Sequence, residues 1–169
     1  MKLYSIDPGA RKLGIAYFVD GALVKAATLQ HEESTMAGYV VSWMSDPLAD
    51  VVTERMHLRP GNTFHEDDLK RVEAVRLSIK KLRRFKRTYN PTEWKGSIPK
   101  KTHHARVELA LMPSELPIWK AQNHDGRDAI AIGLFHLGRI ERGGLLPGTS
   151  KWHNRSHVPP PSPSAQVAP

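Results

Sequence analysis

Four acidic residues stand where this chain changes from one element to the next. Asp7 closes an apolar run and is followed by Pro8-Gly9, Glu54 closes the run 49–54, and Asp125 and Asp128 lie three apart at the head of an apolar stretch. Each position has an ordinary explanation. Asp, Pro and Gly favour turns for separate reasons, and acids in the first turn of a helix answer its partial positive charge. Gathered in one small volume, however, four carboxylates cannot all ionise without compensation. Divalent cations compensate, and hard oxygen donors in a chain with no cysteine point to Mg2+ or Mn2+ rather than zinc. Two such ions about 4 Å apart stabilise the attacking and leaving oxygens of an in-line phosphoryl displacement. The chemistry that these residues could do together is therefore phosphodiester hydrolysis.

The cations fit that substrate. The 169 residues carry 25 Lys plus Arg against 17 Asp plus Glu, a formal charge of +8. A charge balance of this kind suits a polyanionic partner, nucleic acid first. Between positions 80 and 101 there are nine basic residues, Lys80, Lys81, Arg83, Arg84, Lys86, Arg87, Lys95, Lys100 and Lys101, and one acid, Glu93. Phe85, Tyr89 and Trp94 are interleaved with them, a composition able to follow a phosphate backbone and stack on bases. Absence of cysteine excludes a disulfide framework and a thiol nucleophile. An acid by position 7 leaves no room for an apolar signal segment, and no later run reaches membrane-spanning length. A cytoplasmic protein with no membrane partner is expected.

The elements that must position these residues follow from local patterning. Runs 2–6, 13–19 and 22–29 read as three strands joined at Pro8-Gly9 and Asp20-Gly21, an antiparallel meander. Positions 35–44 read as a helix, and 49–54 as a short buried strand ending on Glu54. Leu69, Val72, Val75, Ile79, Leu82 and Phe85 fall three or four apart and predict one long amphipathic helix over 69–85. A short strand is expected around 87–95 and a helix around 107–112, closed by Pro113. The run 124–137 is apolar after its first turn and predicts a buried helix with Asp125 and Asp128 on one face. Adjacent parallel strands ending on Asp7 and Glu54 and facing that helix would bring the four acids together.

The ordered set Ile6-Asp7-Pro8-Gly9 with Arg11 and Gly14, Glu54 at a strand end, Tyr89, Pro91, Trp94-Lys95-Gly96-Ser97 with Lys100, and Asp125-x-x-Asp128-Ala129 before an apolar helix resembles the RuvC family of Holliday-junction resolvases over residues 2–142. The resemblance implies an α/β, RNase H-like fold: a five-stranded mixed sheet, its first three strands antiparallel, flanked by helices. It implies a homodimer that nicks opposing strands of a four-way DNA junction. Asp7, Glu54, Asp125 and Asp128 would hold two Mg2+ or Mn2+ ions, and Lys95 and Lys100 would lie beside the scissile phosphates. The family commonly places an aromatic wedge three residues after the strand-end Glu; here that position is His57, which leaves His57, Phe64 or neither to open the junction. In its compactness the chain resembles bacteriophage versions, which tend to accept a wider range of branched DNA.

Further expectations attach to single residues. Arg11, three residues past Pro8, is a phosphate contact; His103-His104 and His124 lie near Lys100 and Asp125, where a histidine could act as general base or bind phosphate, and His124 is the one singled out for a chemical role. The apolar stripe of 69–85, longer than one sheet face requires, is the expected dimer seam. Residues 1–146 form the nuclease domain; 147–169, rich in Pro and Ser, form a disordered tail. Competing readings are an RNase H-like nuclease acting on RNA or RNA–DNA hybrid, and a non-catalytic junction-binding protein. An actin-like nucleotide-binding fold would need a second Gly-rich phosphate loop and about twice the length.

Overall fold

The turn residues dictate the first half of the sheet. In the computed structural model, which describes residues 1–9, 12–30, 36–55, 66–81 and 84–148, strands β1 (Lys2–Asp7), β2 (Lys12–Val19) and β3 (Ala22–Gln30) form an antiparallel meander. Asp20 and Gly21 both take positive φ, 49° and 84°, the turn that an Asp-Gly pair favours between twisted strands. Strand β4 (Asp50–Glu54) then pairs parallel with β1, and β5 (Phe85–Tyr89) parallel with β4, giving the order β3-β2-β1-β4-β5. Helices α1 (Met36–Trp43) and α2 (Glu66–Lys80) cover one face. Helices α3 (Pro91–Trp94), α4 (Lys100–Leu109), α5 (Leu116–Lys120) and α6 (His124–His136) cover the other. This is the expected five-stranded mixed sheet flanked by helices.

The period of two along each strand decides which side chains reach the site. On β1, Tyr4 and Ile6 pack with Val40, Val75 and Ile79 on the α1–α2 side, while Leu3 packs on the α6 side and the Ser5 hydroxyl donates to the Ala129 carbonyl at 2.7 Å. Asp7 therefore projects to the α6 side. On β4 the same alternation puts Val51 on the α1–α2 side and Val52 with α6, so that Glu54 also projects toward α6. Helix α6 can lie flat against the sheet because two glycines admit it. A Cβ on Gly14, the residue opposite Asp7, would stand 2.0 Å from the Asp125 carbonyl oxygen, and a Cβ on Gly133 would stand 2.2 Å from the Phe18 ring.

A second anchor holds the far end of that layer. Arg139 donates to both carboxylate oxygens of buried Glu115 at 2.7 Å and to the carbonyls of Gly21 and Ala110. Glu115 also accepts from the N–H groups of Leu23 and Met112, at 2.6 and 2.8 Å. Burial pushes the Glu115 carboxyl up, but these hydrogen bonds outweigh it and hold the group below the usual carboxylate range.

Four boundaries differ from the sequence-based expectation. The helix expected over 69–85 stops at Lys80, and Phe85 opens β5 instead, packing on the α1–α2 side from a strand. Of the apolar stripe, Val75 and Ile79 pack into the core on the α1–α2 side and Val72 is buried. The strand expected over 87–95 is β5 followed by α3, because Pro91 occupies the first helical position, where its missing N–H costs nothing. The helix expected over 107–112 begins at Lys100, directly after Pro99, and ends at Leu109. Helix α5 was not anticipated. Among the described residues no helix is long and apolar enough to cross a membrane. The tail from 149 onward lies outside the described residues.

Candidate active site

The carboxyl ends of the parallel strands β1 and β4 meet the first turns of α6 at one edge of the sheet. Asn123 caps α6, its side-chain oxygen accepting from the N–H groups of Asp125 and Gly126 at 3.0 and 3.2 Å and from the Thr28 hydroxyl at 2.6 Å. The cap fixes where Asp125 and Asp128 start along the sheet. Asp128, 8% exposed in its side chain, is held by the Lys100 ammonium at 2.6 Å and by His104 Nε2 at 2.6 Å. Asp125 has His124 Nε2 at 3.1 Å. Glu54 accepts from the indole N–H of buried Trp94 at 2.8 Å.

The electrostatics mark this edge as overloaded with negative charge. Burial pushes the Asp7 carboxyl well above the usual carboxylate range, with Glu54, Asp128 and Asp125 pushing the same way and Lys100 opposing them. Burial, seconded by Asp128, raises Glu54 to about 7 in spite of the Trp94 hydrogen bond and the nearby Lys95 and Lys100. Asp128 goes the other way: its burial is outweighed by hydrogen bonds from His104 and Lys100, which hold it low. One ammonium and one imidazole thus satisfy a single member of the set. No three of the four carboxylates bring oxygen atoms within 4.8 Å of one another among the described residues; the group that reaches that closeness is His103, His104 and Asp128.

The basic residues divide between the two ends of β4 and β5. Lys100 pairs with Asp128 at the carboxylate edge, and Lys95 lies over the Trp94 ring, 5.9 Å from its centroid. Arg84 and Lys86 engage Asp50 at 2.9 and 3.7 Å, at the opposite end of β4 from Glu54. Arg87 pairs with Glu93 at 2.8 Å and stacks on Tyr89. Lys80, Lys81 and Lys101 are exposed. Arg11, His57, Phe64 and Arg83 lie outside the described residues.

The imidazole that touches the buried acid Asp128 is His104. His124, favoured from its place beside Asp125, is exposed and reaches Asp125 alone. A signal for His104 was available, since Lys100 and His104 are four apart on α4 and so share a face, the one that meets Asp128. His103 next to it is fully buried, edge-on to the Trp94 ring at 5.0 Å, and neither of its ring nitrogens has a hydrogen-bond partner. Burial lowers the His103 imidazole to about 4.

Comparison with known proteins rests on structure, since no family model and no curated protein matches this sequence. RuvC of Thermus thermophilus superposes with a TM-score of 0.57 at 18% identity, covering 81% of this chain and 93% of that one. The same enzyme in complex with a Holliday-junction substrate gives 0.55 at 19% identity, with the same coverage. A Fowlpox virus resolvase, in complex with substrate Holliday-junction DNA, gives 0.56 at 14% identity, covering 81% of this chain and 97% of that one. This chain thus has the RuvC-like form of the RNase H-like fold, and Holliday-junction resolvases of a bacterium and a poxvirus are its structural neighbours.

Proposed function

We propose that this chain is a metal-dependent, structure-selective DNA endonuclease that cuts four-way junctions, and other branched DNA, by paired nicks from a homodimer. The observation that carries the reading is the pair of strand-end acids, Asp7 and Glu54, both pushed above the usual carboxylate range by burial and by neighbouring acids including Asp128, in a fold whose neighbours are junction resolvases. The donor set fits hard divalent cations: it is all oxygen, half-buried to buried, and short of positive charge. Asp7, Glu54, Asp125 and Asp128 would hold them. Mg2+ or Mn2+ bound there would supply Lewis acidity at the phosphate and lower the pKa of water toward neutrality.

The chain's own residues do the rest. Trp94 fixes one Glu54 oxygen and leaves the other available. Lys95 and Lys100 carry the positive charge that draws a phosphodiester to this edge, and Lys100 exchanges Asp128 for the backbone of DNA. Arg11, between β1 and β2 in sequence, remains the proposed phosphate contact. The exposed Lys80, Lys81, Arg84, Lys86, Arg87 and Lys101 would follow the arms of the junction, and the exposed Val41 and Leu77 on α1 and α2 are the apolar positions offered to a second copy. The decisive experiment compares a labelled four-way junction with a flap, a fork and an RNA–DNA hybrid in Mg2+. Paired cuts in the junction are expected, and Asp7→Asn should slow them at least about 10³-fold while leaving junction binding in place. Preference for the hybrid would replace this reading with a ribonuclease, and metal-dependent cutting by Asp7→Asn would remove Asp7 from the site.

A further inference from the structure

We infer that His103, His104 and Asp128 form a binding site for one borderline divalent ion of the Zn2+ or Co2+ kind, sharing Asp128 with the all-oxygen site proposed for Mg2+. The first observation is geometric: one ligand atom from each of the three side chains lies within 4.8 Å of the other two. An ion held at about 2.0–2.2 Å from N and O ligands needs such atoms about 3.4 Å apart in a tetrahedral arrangement, which lies inside the separation present. His104 Nε2 and an Asp128 oxygen, hydrogen-bonded at 2.6 Å, would part by less than an ångström to admit it. The second observation is independent of the first. His103 is fully buried, and both of its ring nitrogens lack any partner. A buried polar group without a partner carries a desolvation cost that native proteins rarely leave standing, and an ion is one of the few things that removes it.

The donor types set the class of ion. Two imidazoles and one carboxylate suit Zn2+, Co2+ and their neighbours, whereas Mg2+ prefers oxygen and gives up water reluctantly. Lys100 is the built-in competitor. Its ammonium sits 2.6 Å from the second Asp128 oxygen, and its side chain, 40% exposed, has solvent to swing into when a doubly charged ion arrives. Trp94 and Trp119 stand edge-on to the His103 and His104 rings, at 5.0 and 5.6 Å between centroids, and restrict where the rings can turn. The site stands without the nuclease reading. Its consequence, that a softer ion withdraws Asp128 from the carboxylate set, rests on it.

Titration of the metal-free full-length chain with Co2+ alone, followed by visible absorption, tests the assignment. One Co2+ per chain is expected, with the strong d–d band of a four- or five-coordinate site and displacement by Zn2+. His104→Gln and Asp128→Asn should each weaken binding at least about tenfold, and Lys100→Met should strengthen it by removing the competing charge. Asp7→Asn should change it by less than about twofold, because Asp7 belongs to the other set. His103→Gln should abolish the band; His104→Gln, at a half-buried position, carries the test if the His103 variant does not fold. Co2+ binding that is absent, that survives His104→Gln unchanged, or that is lost in Asp7→Asn overturns the inference. Junction cleavage plays no part in this readout, so its failure would count against the nuclease and not against this site.

Discussion

Two buried carboxylate regions of this protein behave in opposite ways. At Glu115, every acceptor position is met: a two-pronged guanidinium and two backbone N–H groups converge on it, and the acid is held low. At Asp7 and Glu54, half-buried residues, desolvation acts too, but the neighbours are other acids, and both groups are pushed up. The first arrangement contributes to holding β3, α5 and the chain after α6 together. The second costs the fold free energy in the absence of a cation and has no structural task that a neutral side chain could not perform. Burial alone therefore says little about whether an acid is structural; what surrounds its oxygens decides.

Removing one partner from each region tests the contrast most sharply. Arg139→Met leaves Glu115 buried and unpaired, and should cost about 3–5 kcal/mol of stability, read from denaturant unfolding. Asp7→Asn in EDTA should melt at or above the wild-type temperature. A destabilised Asp7→Asn would mean that this acid, too, is structural.

A smaller effect appears in the pH dependence. Folded Glu54 titrates at about 7 against an ordinary value of 4.5, so between those values the folded chain keeps a proton that the unfolded chain releases, and stability falls as pH rises. His103 works in the other direction, titrating at about 4 in the fold against 6.5, so stability rises with pH across that window. Above pH 6.5 the unfolded His103 is still losing its proton and offsets part of the Glu54 effect. The metal-free protein should lose a few tenths of a kcal/mol between pH 6.5 and about 7.5, and Glu54→Gln should turn that loss into a slight gain. The smallest expected effect concerns the cations. Lys95→Ala should weaken junction binding and reduce the slope of log affinity against log salt by about 1, whereas Arg139, committed to Glu115, should leave that slope unchanged in any variant that folds.

Much of this contrast was legible in the residues alone, and the part that was not has physical reasons. Asp20-Gly21 and the alternation of β1 and β4 specify the meander and the face to which Asp7 and Glu54 point, because both signals are local. The run after Asp128 is apolar on all sides, which only a covered helix tolerates. Leu82 and Phe85 misled because a three-residue spacing can continue by coincidence past the end of a helix that has no Gly or Pro to stop it. The role of His104 depended on α4 beginning at Lys100, and the pairing of Glu115 with Arg139 joins residues 24 apart across three elements, which no spacing rule predicts.

Gly14 gives the carboxylate edge its dimensions. The hydrogen that stands in place of a methyl group there is what lets the first turn of α6 rest on β2 directly across from Asp7. The distance between strand-borne and helix-borne acids is thus gauged by an atom the chain does not have. A shim one carbon thick at position 14 would widen the gap while leaving every charge in the site intact, which makes this uncharged, chemically inert residue the calibration screw of the whole edge.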